Sequence, residues 1–189
     1  RTILATSARL YGVHRLRRVY YSAFSPIPDA ARALPLAAPP TVREHRLYQA
    51  DWLMRYYAFS PDELVTPSEP WLDLDLDPKL AWALRNIDRF PVEVMDAPLE
   101  LLLRVPGVGP VGARRIVAAR RTKRLDFDDL RRLNVTLKRA RPFLTCAGLR
   151  DKGVVLDAEF IRQREVGDAR RSSYNRARRE AESAQLSLF

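Results

Sequence analysis

Glycine and arginine residues in the second half of the chain have the types and the spacing that suit an anion site. Gly107 and Gly109 follow the apolar segment Leu99–Val105, and we expect both to adopt backbone angles that a side chain would forbid. A helix predicted to begin just after Gly109 directs its unpaired N–H groups and the positive end of its dipole toward this turn. With Arg114 and Arg115 nearby, the pattern predicts a phosphate-binding site.

Residues 99–121 as a whole resemble the helix-hairpin-helix DNA-binding motif almost position by position. Pro106 stiffens the exit from the first helix, Val108 can plug the hairpin into the core, and Ala113 lets the two helices cross closely. The resemblance implies sequence-independent contact with the phosphate backbone, and a monovalent cation between hairpin carbonyls and phosphate. The alternative is a tight turn that only packs helices or contacts another protein. The expected DNA-binding residues are Gly107, Val108, Gly109, Gly112, Arg114, Arg115, Arg120 and Arg121.

The charge of the chain is concentrated in the same half. Residues 1–100 hold 12 Lys+Arg and 13 Asp+Glu, a net charge of −1, whereas residues 101–189 hold 21 and 10, a net charge of +11. A localised excess of this kind predicts a polyanionic partner. Only four of the 33 basic residues are lysine, which suits bidentate phosphate contacts, although a GC-rich genome would produce the same bias.

A weaker second copy of the motif follows at residues 128–141, with Asn134 in place of a glycine. Two such pairs commonly pack into one compact unit, so we expect this copy to be structural. Asp126, Asp128 and Asp129 also lie where a helix-hairpin-helix DNA glycosylase carries its aspartate. A helix start with acidic residues is better explained by capping, and we do not favour the glycosylase interpretation.

The elements that must position this site are mostly helical. Apolar periodicity, caps and prolines mark them along the chain. The predicted elements are a helix over residues 2–13, a buried strand over Arg17–Phe24, a helix over Thr41–Phe59, a helix capped by Asp77 that runs to about Asn86, the helix-hairpin-helix from Pro98 onward and a basic helix-like run over Gly167–Ser183.

Three segments of the first half add a second resemblance. Residues 17–28, 43–55 and 74–82, in this order and followed by the hairpin, are similar to the C-terminal part of the DNA modification or repair radical SAM proteins. These proteins are often encoded beside a uracil-DNA glycosylase-like protein, which the resemblance therefore implies as a partner. The resemblance covers about residues 1–145 and implies that residues 1–60 close an α/β barrel.

The family resemblance also implies a [4Fe–4S] cluster and S-adenosylmethionine, held by a three-cysteine motif. This chain departs from the family there, because its one cysteine is Cys146. We expect no cofactor in this chain alone, and whether the chain is an enzyme stays open. Since the chain begins at Arg1 within an apparent element, we expect either a fragment or a subunit whose cluster domain is on another chain.

The last five residues form a further candidate site for a partner. They are similar to the pentapeptide that docks bacterial repair and replication proteins on the β sliding clamp, with a glutamine for the pocket rim and a Leu-Phe pair for an apolar pocket. The alternative is a tail that packs on its own domain. The expected partner-binding residues are Gln185, Leu186, Ser187, Leu188 and Phe189.

The sequence therefore predicts a mainly α chain with a terminal α/β piece of a radical SAM-type barrel (1–60), a helical connector (61–97), a helix-hairpin-helix domain (98–145) and a basic tail (146–189). The expected function is the DNA-binding C-terminal portion of a radical SAM DNA modification or repair protein. The alternative is a non-catalytic adaptor that tethers a repair partner to DNA and the clamp. A lone cysteine and the lack of a membrane-length apolar run or signal peptide predict a cytoplasmic protein with no metal site and no membrane partner. The reaction, the modified base, DNA versus RNA and the oligomeric state stay open.

Overall fold

The computed structural model describes residues 1–27 and 37–186, without the side chains of residues 174 and 176–186. These ranges are mainly helical, as predicted. The helices are α1 (Thr2–Gly12), α2 (Thr41–Tyr56), α3 (Pro61–Leu64), α4 (Pro78–Arg85), α5 (Leu99–Arg104), α6 (Pro110–Ala119), α7 (Phe127–Arg132), α8 (Leu137–Ala140) and α9 (Ala158–Leu186). Two strands, β1 (Val92–Glu93) and β2 (Leu144–Thr145), pair in parallel. No helix in the described ranges has both the length and the apolar character needed to cross a membrane.

Local capping explains where several of these helices begin. The Asp77 side chain accepts hydrogen bonds from the backbone N–H groups of Lys79 and Leu80, and Pro78 occupies the first helical position, as predicted for α4. At the start of α7, Asp126 and Asp129 form a reciprocal capping box. The capping interpretation of these aspartates is therefore confirmed.

The predicted strand over Arg17–Phe24 is wrong. The described part of the first 60 residues contains no strand, and this segment is extended without a strand partner. Side chains of α2 satisfy its backbone instead, because the N–H of Tyr21 donates to the Tyr48 hydroxyl at 3.0 Å and the N–H of Ala23 donates to the Glu44 carboxylate at 3.1 Å. That these residues close a barrel in a larger protein stays a prediction.

An aromatic chain links the helices at the centre of the core. Phe59, Trp82, Phe90 and Phe143 contact one another edge to face, with successive ring centroids 5.7, 6.3 and 5.1 Å apart. The buried cluster around them includes residues from α1 to α9. Packing therefore continues across positions 60, 97 and 145, where the sequence suggested boundaries, and joins the hairpin region to the first half of the chain.

The segment predicted as a basic tail contains the long helix α9. Its first turns are anchored, since Ile161 is buried and Arg162 pairs with Asp73 at 2.7 Å. Lys138 of α8 also pairs with Asp168 of α9 at 3.1 Å. These contacts place the first half of α9 beside α4 and the hairpin region.

Candidate nucleic-acid interface

The two predicted hairpins exist and pack against each other through their turns. Val108 of the first turn and Val135 of the second form an antiparallel bridge, and the N–H of Thr136 donates to the carbonyl of Gly107 at 2.9 Å. Both valines are buried, so the predicted role of Val108 as an apolar plug is confirmed. The first turn is therefore held by the second copy as well as by its own helices.

The same unusual backbone conformation occurs in both turns. Gly107 has a φ of 83° and Asn134 a φ of 71°, so the asparagine occupies the left-handed position expected from its place in the motif. At Gly107 there is also no room for a side chain, because an added Cβ would lie 2.6 Å from the carbonyl oxygen of Thr136. Only glycine satisfies both conditions at this position.

The prediction that Gly109 needs a conformation forbidden to other residues is wrong. Its φ of −95° and ψ of 171° are ordinary extended values, and the nearest atom to an added Cβ is the Tyr57 hydroxyl at 3.6 Å. Gly109 is instead the N-cap of α6, and no side chain caps this helix. The first N–H groups of α6 therefore keep their capacity to bind an anion.

Gly112 serves the contact between the two hairpins. An added Cβ there would lie 3.1 Å from the carbonyl oxygen of Asn134 and 3.3 Å from that of Leu133. Because it is buried under the second turn, Gly112 sets how closely α6 approaches that turn. Its side-chain position does not face solvent.

The four predicted arginines divide into two groups. Arg114, Arg115 and Arg121 are exposed, and none of them has an ion pair or a side-chain hydrogen bond within the part of the chain that the structure describes. Arg120 instead donates to the backbone carbonyls of Val94 and Ala97, at 3.0 and 2.7 Å. Arg120 therefore anchors the end of α6 to the segment that follows β1, while the other three carry free charge.

Charge across residues 98–145 is strongly positive, with twelve Lys+Arg and four Asp+Glu. The acidic residues are partly neutralised locally, since Asp129 pairs with Lys123 at 2.6 Å and shares the capping box of α7 with Asp126. The exposed Arg114 and Arg115 of α6 form no ion pair within the part of the chain that the structure describes. This distribution favours a phosphate ligand.

Lys79 lies at the candidate site, although the sequence did not identify it as a functional residue. It is only 8% exposed, its Nζ donates to the carbonyl oxygen of Val108 at 2.5 Å, and it lies 4.6 Å from the centroid of the Tyr57 ring. Burial lowers the pKa of Lys79 to about 7, against the opposing attraction of Asp77. The Lys79 side chain therefore donates a hydrogen bond to one of the hairpin carbonyls to which the predicted monovalent cation would bind.

Arg104 is a second residue that the sequence did not single out. At the end of α5, its guanidinium donates to both carboxylate oxygens of Glu63, at 2.8 and 2.9 Å, and to the carbonyls of Tyr57 and Ala58, each at 2.9 Å. It also stacks 3.8 Å from the centroid of the Phe59 ring. Burial works against ionisation of Glu63, but the hydrogen bonds from Arg104 and Ser60 bring the pKa of Glu63 below its usual value. Arg104 therefore fixes the hairpin to the turn after α2.

The remaining candidates are Cys146, a metal site and the C-terminal peptide. Cys146 is buried, and burial raises the pKa of its thiol to about 12. Across residues 1–27 and 37–186, no group of histidine, cysteine, aspartate or glutamate side chains is arranged to hold a metal ion. Of the predicted clamp-binding peptide, Ser187, Leu188 and Phe189 lie outside the described residues. Its first two positions, Gln185 and Leu186, are the backbone end of α9.

A comparison of the chain with models of protein families, with curated proteins and with solved structures found no match. The informative features are the paired turns, the uncapped start of α6 and the exposed Arg114 and Arg115 of that helix, which form no ion pair within the described residues.

Proposed function

We propose that this chain is the DNA-binding C-terminal portion of a radical SAM DNA modification or repair protein, and that it holds the phosphate backbone without sequence preference. The observation that carries the proposal is the uncapped start of α6 at Gly109, beside Arg114 and Arg115, which are exposed and unpaired among the described residues. Backbone N–H groups and guanidinium groups together are the donors that phosphate oxygens accept.

The rigidity of the first turn supports this assignment. Two hydrogen bonds hold its backbone in place. The Lys79 side chain donates to the Val108 carbonyl, and the N–H of Thr136 donates to the Gly107 carbonyl. A preformed turn of this kind does not have to become ordered when a phosphate binds, so less of the binding free energy is lost.

The radical SAM part of the proposal is supported by the order of the three segments in the first half of the chain. The residues of this chain do not fit an iron–sulfur cluster, because the single cysteine is buried in the core. We therefore assign no step of radical chemistry to these residues. The alternative, a non-catalytic adaptor, would be favoured if no Cys-x3-Cys-x2-Cys motif were encoded upstream of Arg1 or on a partner chain.

Charge reversal on α6 tests the interface. We expect Arg114→Glu with Arg115→Glu to lower the affinity of the full chain for a duplex at least about tenfold and to reduce the salt dependence by roughly two counterions, because two phosphate contacts are lost. Fluorescence anisotropy at several salt concentrations measures both quantities. The matched control is Arg17→Glu with Arg18→Glu, which changes the net charge equally on another exposed segment. Equal effects of the two pairs would mean that net charge, and not the hairpin, binds DNA.

The C-terminal peptide extends the proposal to a second partner. We propose that Gln185–Phe189 docks on the β sliding clamp, since the glutamine and the terminal apolar pair match the chemistry of such a pocket. Deletion of these five residues should abolish retention of the chain on immobilised clamp and leave its affinity for DNA unchanged. A lower melting temperature after the deletion, with no clamp retention by the intact chain, would instead assign Leu188 and Phe189 to the protein's own packing.

A further inference from the structure

A cleft of about 390 Å³ opens beside the paired turns. It lies between α2, the first turn of α4 and the turns of both hairpins. Its volume falls within the range of small-molecule sites, roughly 300–1,000 Å³. The lining residues on which the inference depends are Gln49, Trp52, Tyr57, Lys79, Asn134 and Arg139.

One wall of the cleft is aromatic. Trp52 is 54% exposed, which is unusual for the largest apolar side chain. Its ring packs against that of Tyr56, with the ring centroids 4.3 Å apart. Tyr57 lies deeper, with its hydroxyl close to Gly109. A planar ring that enters the cleft would therefore find aromatic surface within reach of the phosphate-binding turn.

The remaining walls are polar. The Lys79 amino group donates to one oxygen acceptor among the described residues, the Val108 carbonyl, and has further N–H capacity for a ligand. Asp77, the carboxylate in the cleft, is paired with Arg139. Gln49 accepts from Arg46 at 2.8 Å through its Oε1 and keeps its amide N–H groups for another partner.

We infer that this cleft binds one unpaired nucleotide of a DNA strand whose backbone the hairpin holds. The base stacks on Trp52, its edge meets the polar groups of Gln49 and Asn134, and its phosphate lies toward Lys79 and the turn. The inference rests on the proposed function, because the hairpin brings the strand to the cleft. It adds a preference for DNA with an unpaired base, which backbone binding alone does not produce.

The test uses the full chain and three DNA probes that share one sequence. The first is a fully paired duplex, the second carries a single unpaired thymidine, and the third has an abasic position in place of that thymidine. We expect the wild type to bind the unpaired base about tenfold more tightly than the abasic probe, since stacking on an aromatic side chain contributes on this scale. Trp52→Ala should reduce this affinity ratio to about one. Trp52→Phe keeps an aromatic ring and should retain most of the ratio.

Trp71→Ala is the matched control, because Trp71 is 69% exposed but does not line the cleft. It should leave the ratio and the duplex affinity unchanged. Equal binding of the unpaired-base and abasic probes by the wild type, with duplex binding intact, would overturn the cleft inference and leave the proposed function standing. Failure to bind any of the probes would overturn the proposed function and the cleft inference together.

Discussion

Gly107→Ala should lower the free energy of unfolding by about 3 kcal/mol or more and abolish DNA binding. A left-handed conformation costs a non-glycine residue about 1–3 kcal/mol, and here the new Cβ would also meet the Thr136 carbonyl oxygen at 2.6 Å. Because that oxygen belongs to the backbone of the second turn, the clash separates the paired turns. Urea denaturation followed by circular dichroism measures the loss, and the helical signal before unfolding should stay close to that of the wild type.

Substitutions at two other glycines distinguish the cost of the left-handed conformation from the cost of the steric clash. Gly148 has a φ of 79° with open space around it, so Gly148→Ala should show only the conformational cost, about 1–2 kcal/mol. Gly109 has an extended backbone, so Gly109→Ala should change stability by less than about 1 kcal/mol while placing a methyl group where a phosphate approaches. If Gly107→Ala costs no more than Gly148→Ala, the close approach of the two turns is not as described.

Arg104→Met should destabilise the protein by about 2 kcal/mol, less than the roughly 3–5 kcal/mol expected for a fully buried ion pair, because Glu63 is partly exposed. Glu63 would lose its bidentate partner, and the carbonyls of Tyr57 and Ala58 would lose a donor. The stack on Phe59 would be replaced by ordinary apolar contact. The loss is measured by denaturation at neutral pH.

Arg104→Lys is the control that keeps the charge without the planar fork. A single ammonium cannot donate to all four of these oxygens with the same geometry, so we expect it to recover less than half of the loss. The difference between Arg104→Met and the wild type should also shrink in acid. Glu63 has a lowered pKa in the folded state, so its contribution is present above the usual value of 4.5 and is lost as the pH falls through the folded value. A difference that stays constant down to the acid transition would contradict this account of Glu63.

The sequence by itself determined the features that depend on neighbouring residues. Glycine and proline spacing located the hairpin, Asp77 and Asp126 marked helix starts, and Asn134 marked the second left-handed turn. Each of these involves contacts within one turn or one helix, where residue type and spacing decide the backbone conformation. The position of the positive charge was also determined, because counting needs no coordinates.

The tertiary structure decided which of these residues are available to a ligand. Arg120 and Arg121 are neighbours of the same type, yet one anchors α6 and the other is exposed. The extended segment that sequence patterning predicted as a strand has no strand partner among the described residues, and its backbone N–H groups donate instead to side chains of α1 and α2. Local patterning does not report where such a partner lies in space.

The supports of the site are also tertiary. Lys79 reaches the Val108 carbonyl across 29 positions, and Arg104 reaches Glu63 across 41. Helical periodicity describes residues three or four positions apart, so it carries no information on pairs at these separations. The packing of the aromatic core brings α2, α4 and the hairpin together, and this arrangement forms the cleft beside Trp52.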